Sequence, residues 1–211
     1  MKDSLYKLVL SKQSLDLLST INSIEDYDNF YLAGGTSLAL QIGHRKSIDL
    51  DFFSPQEFKS SIIHSFGQKY EITSLHDNSI ELTSKNTRLF FFFFAFPLYK
   101  KIVVKENIRL AHPIDIGLMK LLALQGRTAK KDIIDLYFLN KYIIRLGALL
   151  KIFEKHYPKE SFNSYDSLKT LLDPAVLETQ PMPVMLKKCT WKKCYDLVKE
   201  KVSNHIKMIV L

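Results

Sequence analysis

Cysteine is scarce in this sequence, and long apolar stretches are absent. Its two cysteines, Cys189 and Cys194, have no further Cys or His residues beside them, so we expect reduced thiols rather than a disulfide or a metal site. The longest apolar run, residues 89–98, is too short to span a bilayer as a helix. Residues 1–18 mix charged and apolar side chains, unlike a signal peptide. We therefore expect a cytoplasmic protein with no membrane partner.

The first half of the chain also lacks a sizeable net charge. Residues 1–112 hold 13 Lys and Arg against 12 Asp and Glu, whereas residues 113–211 hold 17 against 10. A basic second half favours a polyanionic partner, nucleic acid first, although lysine-rich helix faces that are simply solvated would carry the same charge. Hydrophobic and charged contents of 46% and 25% are those of a soluble globular protein.

One stretch, residues 30–54, combines a short apolar strand, a glycine turn, a short apolar helix, a basic loop and a second strand. The turn is Gly34-Gly35, and the second strand carries Asp49 and Asp51 at alternate positions. Residues two apart on a strand point to the same face, so both carboxylates project together. The opposite face, which can pack into a core, holds Ile48, Leu50 and Phe52.

This arrangement suits magnesium-dependent nucleotidyl transfer. Glycines that open a helix present N–H donors to a triphosphate without a Cβ in the way. Thr36 or Ser37 can add a hydroxyl to the phosphates, and Arg45 or Lys46 a cation. Two neighbouring carboxylates repel each other unless a divalent cation lies between them, and such a cation would act on the α-phosphate and the attacking hydroxyl. A P-loop kinase is disfavoured, because the glycine turn contains no Lys.

Two blocks of the sequence resemble a known family. The first block is Gly34-Gly35-Thr36-Ser37-Leu38 followed by Arg45-x-Ser47-x-Asp49-Leu50-Asp51-Phe52-Phe53. The second block is Met119-Lys120-Leu121-Leu122-Ala123, Gly126-Arg127 and Lys130-Lys131-Asp132-x-x-Asp135-Leu136-Tyr137. In this order the blocks are similar to the nucleotidyltransferase toxins of the AbiEii/AbiGii abortive-infection type, a branch of the polymerase-β-like superfamily. The resemblance covers residues 30–139, about half of the chain.

The resemblance implies an enzyme that transfers a nucleoside monophosphate from an NTP to an acceptor hydroxyl, with Mg²⁺ (or Mn²⁺) as cofactor. The acceptor would be RNA, such as tRNA, or protein, and the enzyme would be the toxin of a toxin–antitoxin or abortive-infection system with an antitoxin encoded nearby. The predicted catalytic residues are Asp49, Asp51, Lys120, Asp132 and Asp135, of which Asp49 and Asp51 would bind the metal. The predicted nucleotide-binding residues are Gly34, Gly35, Thr36, Ser37, Arg45, Ser47, Arg127 and Lys131.

The second block also has a purely structural interpretation. Lys120, in a largely apolar helix, could extend its amine to water. Asp132 and Asp135, near the start of the next helix, could complement the helix dipole, with Lys131 and Asp135 pairing at i,i+4.

The sequence departs from the superfamily in one respect. Residues 88–99 lack the third strand carboxylate that usually follows the Asp-x-Asp pair, so either two strand carboxylates suffice or a helical Asp completes the site. Two other functions therefore stay open: a catalytically silent NTP-binding protein, and a nucleic-acid-binding module that uses the basic helical half.

We predict an α/β (α+β) fold: a polymerase-β-like nucleotidyltransferase domain with a mixed sheet over residues 1–112, followed by a helical bundle over residues 113–211. The residues 90–94, all Phe, do not alternate with polar residues and are predicted to be buried on both faces. The predicted strands are residues 30–33, 70–75, 79–83, 87–96 and 100–104, besides the Asp49–Asp51 strand. The predicted helices are residues 3–24, 38–42, 58–66, 115–125, 130–145, 149–156, 164–172 and 190–208.

Overall fold

The computed structural model describes residues 4–21, 28–62, 64, 70–84, 87–124, 129–157 and 175–210. The chain forms two compact units, Met1–His112 and Pro113–Leu211. Of the helices in the described ranges, none combines the length and the apolar character needed to cross a membrane. The α/β class, with a mixed sheet and then a helical bundle, is confirmed.

The first unit is built on a mixed sheet that has seven strands in the described ranges. The strands are β1 (Tyr31–Leu32), β2 (Leu50–Ser54), β3 (Glu71–His76), β4 (Ser79–Ser84), β5 (Thr87–Phe93), β6 (Val103–Lys105) and β7 (Ile108–Leu110). Their order is β3-β4-β5-β2-β1-β7-β6, with β2 at the centre, parallel to β5 and antiparallel to β1. β7 is parallel to β1, and the other neighbours are antiparallel.

Two tight turns connect the outer strands of the sheet into hairpins. The pair Asp77-Asn78, whose residue types alone predict a hairpin turn, joins β3 to β4, with Asn78 at a φ of 68°. A second turn, Glu106-Asn107, has φ angles of 49° and 62°, which suit a two-residue hairpin between β6 and β7. The sequence predicted an edge strand near β6 but missed β7, which lies between β6 and β1.

The prediction that residues 90–94 are buried on both faces was wrong. In β5, Leu89 and Phe91 are buried, whereas Phe90 and Phe92 are half-buried. An unbroken run of phenylalanines still pleats, so its alternate rings point to opposite faces. The half-buried rings stack on each other instead, with the centroids of Phe90 and Phe92 5.7 Å apart.

β2 divides its side chains in the same way. Leu50 and Phe52 are fully buried, whereas Asp51 and Phe53 on the other face are partly exposed. Ile48, predicted to share the core face, precedes the strand and is 62% exposed. The face of the sheet that carries Asp51 is therefore also aromatic, since the ring centroids of Phe53 and Phe92 lie 5.8 Å apart on it.

The first predicted helix is interrupted. A 3-10 turn (Lys7–Val9) precedes α1 (Lys12–Ile21), where one helix over residues 3–24 was predicted, and residues 3 and 22–24 lie outside the described residues. The break has a local cause, because the Ser11 hydroxyl accepts a hydrogen bond from Ser14 N and so caps a new helix. In the predicted helix 58–66, residues 60–62 form a 3-10 turn, and residues 63 and 65–69 lie outside the described residues.

The described residues of the second unit form five helices and the segments that connect them. Its helices are α3 (Pro113–Ala123), α4 (Lys130–Tyr142), α5 (Leu146–His156), α6 (Ala175–Glu178) and α7 (Trp191–Val210). α4 packs against α3, α5 and α7, and α3 packs on α5 where Gly117 allows a close approach to Leu149. The predicted helix 164–172 lies outside the described residues, and α6 was not predicted.

Candidate active site

A glycine places a helix terminus against a carboxylate. Gly34 begins α2 (Gly34–Ile42) with a φ of 61°, and a Cβ on Gly34 would lie 2.3 Å from Asp51 Oδ2. Ala33 provides no side-chain cap, and the first turn has no acidic residue. Because the first N–H groups of a helix attract anions, this terminus suits a phosphate. Only glycine fits the left-handed backbone and the close approach together.

The two carboxylates are held by their backbones. Ala33 N donates to Asp51 O at 2.8 Å, which extends the pairing of β1 with β2. The Thr36 hydroxyl donates to the backbone carbonyl of Asp49 and lies 2.7 Å from the Ser47 hydroxyl. Thr36 and Ser47 therefore fix the segment that presents Asp49.

Arg88 of β5 closes over the first carboxylate. Its Nε and Nη2 donate to Asp49 Oδ1 and Oδ2 at 3.1 and 3.2 Å, a bidentate pair. The hydrogen bond and the charge of Asp49 raise the pKa of Arg88, with smaller contributions from Glu81 and Asp51. The guanidinium also lies 5.5 Å from the ring centroid of Phe90. Arg88 thus lies among three carboxylates on one face of the sheet.

The donor set fits Mg²⁺ rather than a metal with an all-protein shell. Among the described residues, no group of three or more His, Cys, Asp or Glu side chains could hold a metal ion. Mg²⁺ commonly takes one or two carboxylates and completes its shell with water and substrate phosphates. Asp49 and Asp51, beside a helix terminus that suits phosphate, match that requirement.

The other predicted phosphate ligands of this unit differ in exposure. Ser37 is fully buried, and its hydroxyl accepts from Gln41 Nε2 at 3.2 Å. Arg45 is 3% exposed, and its Nη1 donates to the backbone carbonyl of Lys46 at 3.0 Å. Gly35, in the first turn of α2, is half-buried, and Lys46 is exposed. The nucleotide-binding roles of these residues stay predictions.

The second unit holds a buried charge cluster, Lys120–Asp132–Asp135. Lys120 Nζ on α3 lies 2.7 Å from Asp132 Oδ1 and 2.7 Å from Asp135 Oδ2, both on α4. The three side chains are 8%, 5% and 0% exposed. Lys120 therefore does not extend to water, and one buried cation faces two carboxylates. Within the described part of the chain, Asp132 Oδ2 has no hydrogen-bond partner.

Two further predicted residues lie near this cluster in the sequence. Lys131 is exposed, and the carboxylate that the sequence paired with it, Asp135, bonds Lys120 instead. Arg127 lies outside the described residues.

Sequence reasoning missed Arg88 as a site residue. Its position is set by the parallel pairing of β2 with β5, which brings Leu50 opposite Leu89 and so Asp49 beside Arg88. The one available signal was a lone arginine in an otherwise apolar strand. Glu81 was missed for the same reason, because it lies across β5, opposite Phe90.

Two solved structures share this fold. JHP933 from Helicobacter pylori matches with a TM-score of 0.54 and 22% identity, covering 95% of this chain and 94% of that protein. MenT4, a nucleotidyltransferase toxin from Mycobacterium tuberculosis H37Rv, matches with a TM-score of 0.58 and 14% identity, covering 92% and 83%. At these identities the likeness establishes the fold alone.

The sequence comparisons identify the family. Residues 16–97 match the model of the family described as nucleotidyl transferase AbiEii toxin, type IV TA system. An uncharacterized protein of Aquifex aeolicus (strain VF5), aq_aa25, is 34% identical over 166 residues, which cover 73% of this chain and 79% of the relative. The matched segment contains Gly34, Gly35, Asp49 and Asp51. The chain belongs to the AbiEii nucleotidyl transferase toxin family.

Proposed function

We propose that this nucleotidyltransferase moves a nucleoside monophosphate from an NTP to an acceptor hydroxyl, with Mg²⁺ or Mn²⁺ held by Asp49 and Asp51. The observation that carries the proposal is the contact between Gly34 and Asp51 Oδ2, where an added Cβ would lie at 2.3 Å. That contact sets a carboxylate beside a helix terminus whose N-cap residue, Ala33, makes no side-chain cap hydrogen bond. A phosphate at the helix terminus would therefore lie next to a metal at the carboxylate.

In this proposal the triphosphate binds along the first turn of α2. The N–H groups of Gly34, Gly35 and Thr36 donate to its oxygens, and the absence of a Cβ at the glycines lets the phosphates approach the backbone. The exposed Lys46 adds positive charge at the loop that follows α2.

The strand carboxylates orient the reacting groups. A metal bound there would neutralise charge on the α-phosphate and lower the pKa of the acceptor hydroxyl. Thr36 supports this step indirectly, because its hydroxyl bonds the backbone of Asp49 and so fixes the direction of that carboxylate.

The resemblance of the second sequence block supports a catalytic role for the buried cluster Lys120–Asp132–Asp135, and we propose Asp132 and Asp135 as catalytic residues of the second unit. Lys120 would hold Asp132 and Asp135 in place. Arg127 and Lys131 remain proposed phosphate contacts of this unit.

We further propose that the enzyme inhibits growth, is controlled by an antitoxin, and uses RNA as the first acceptor to test. The family description supports the toxin role. The charge of the second half, with 17 Lys and Arg against 10 Asp and Glu, supports a polyanionic acceptor. A protein hydroxyl is the other acceptor class.

The test is a label-transfer assay on the full chain. Purified protein, Mg²⁺ and each α-³²P NTP in turn are incubated with total cellular RNA or total cellular protein. Asp49→Asn and Asp51→Asn should abolish labelling of the acceptor, whereas Asp196→Asn should not. Asp196 is a matched control because it is an exposed carboxylate paired with Lys192 on α7. Labelling that survives Asp51→Asn in a folded protein would contradict the proposal.

A catalytically silent NTP-binding protein is the second candidate. It is favoured by the absence, among the described residues, of a third side chain that could join the two strand carboxylates at a metal. Saturable NTP binding with no labelled product for any NTP or acceptor would support this candidate over transfer.

A further inference from the structure

Arg88 is hydrogen-bonded to Asp49, one of the two carboxylates that the proposed metal would need. Both guanidinium donors bond Asp49, at 3.1 and 3.2 Å, so each oxygen of that carboxylate is engaged. The ring of Phe90 also packs against this guanidinium, whose central carbon lies 5.5 Å from the ring centroid. A surface arginine held by a bidentate carboxylate and an aromatic ring has a defined position rather than a free one.

The charges around Arg88 explain why it lies there. Asp49, Asp51 and Glu81 all act on the guanidinium, and Asp49 is the strongest influence. Without a metal, these neighbouring carboxylates would repel one another, and the positive charge of Arg88 offsets part of that repulsion. A divalent cation at Asp49 and Asp51 would have to displace Arg88 or accept a like charge beside it.

Exposure makes displacement feasible. The Arg88 side chain is 56% exposed, against 24% for Asp49, so the guanidinium can rotate into solvent while the carboxylate stays. A triphosphate offers it a new partner, because paired phosphate oxygens accept the same two-pronged donor as a carboxylate.

We propose that Arg88 is an exchangeable counter-cation: it holds Asp49 when no nucleotide is bound and releases it to the metal when a triphosphate takes the guanidinium. The metal then binds weakly alone and well with the nucleotide. This inference rests on the proposed metal site at Asp49 and Asp51, and Arg88 is a positioning residue in it.

The test measures Mn²⁺ binding to the full chain by calorimetry and by electron paramagnetic resonance, with no nucleotide and no turnover. Arg88→Gln should bind Mn²⁺ about tenfold more tightly than the wild type, since a unit charge a few ångströms away is worth at least this factor at a partly exposed site. Arg88→Lys keeps the positive charge but loses the two parallel N–H donors of the guanidinium. Its Mn²⁺ affinity should lie between those of the wild type and Arg88→Gln.

Lys59→Gln is the matched control. It removes one positive charge from the same unit and breaks another exposed ion pair, Lys59–Asp77 at 3.2 Å. Its Mn²⁺ affinity should equal that of the wild type within twofold. If Arg88→Gln behaves like Lys59→Gln, or binds Mn²⁺ more weakly than the wild type, the counter-cation role is wrong.

Asp49→Asn and Asp51→Asn separate this inference from the proposed function. Each should weaken Mn²⁺ binding in the Arg88→Gln background. If neither does, the metal binds elsewhere, and both the proposed site and the role of Arg88 fall. If both do while Arg88→Gln leaves the affinity unchanged, the role of Arg88 alone is overturned.

Discussion

Lys120→Met is expected to lower the free energy of unfolding by about 3–5 kcal/mol, because it leaves two buried carboxylates without their cation. The magnitude follows from the geometry. Both N···O distances are 2.7 Å, and the lysine and the two aspartates are only 8%, 5% and 0% exposed, so water cannot replace the amine without local opening. A loss of this size is a large share of the ~5–15 kcal/mol that stabilises a typical domain. Urea denaturation of the full chain, followed by circular dichroism, measures it.

Two controls make the result specific to the buried charge. Lys192→Met breaks an exposed pair on α7, at 2.9 Å with side chains 85% and 55% exposed, and should change stability by no more than about 0.5 kcal/mol. Adding Asp132→Leu and Asp135→Leu to Lys120→Met removes all three charges and should restore stability to within about 2 kcal/mol of the wild type. A loss below about 1 kcal/mol for Lys120→Met alone would refute the reasoning.

Three further predictions concern other parts of the chain. Gly34→Ala should abolish transfer, because its methyl would lie 2.3 Å from a carboxylate oxygen at a φ of 61°, whereas Gly147→Ala, with nothing within 4 Å, should keep full activity in the same labelling assay. Hydrogen bonds from the Ser60 backbone and from the Ser60 and Lys59 side chains lower the pKa of Asp77 to about 2, so its stabilising effect is present above the unfolded pKa of ~4 and disappears as the pH falls through about 2. Acid titration of the folded signal should show a smaller stability loss across that window in Asp77→Asn. Burial raises the pKa of Cys194, so a thiol reagent should label the half-exposed Cys189 rapidly and Cys194 only after unfolding; equal rates would contradict this.

Local patterns predicted the centre of the first unit well. The helix start at Gly34, the position of Asp51 on a strand and the hairpin at Asp77-Asn78 depend on residues close in the chain, and backbone conformation there follows from residue type. Asp49, predicted on the same strand, precedes it. The last helix was also predicted in place, over residues 190–208 against the observed Trp191–Val210.

Features that depend on pairing between distant segments were missed. Asp49 meets Arg88 because β2 and β5 are parallel neighbours, and no local pattern states which strands will pair. Lys120 was expected either to reach water or to contact a phosphate or a metal-binding carboxylate, and its observed partners, Asp132 and Asp135, lie one helix away on α4. Burial of residues 90–94 was overestimated because composition does not reveal which face of a strand lacks a covering layer.

β1 has only two residues, and its brevity has a consequence for engineering. The pairs Tyr31–Phe53 and Leu32–Phe52, followed by the bond from Ala33 N to Asp51 O, bring Gly34 beside Asp51. One residue inserted before Gly34 would slide the glycine past the carboxylate and turn the following side chains to the opposite side of the strand. This short segment is therefore intolerant of any change in length, and library design or domain fusion should place its insertions elsewhere.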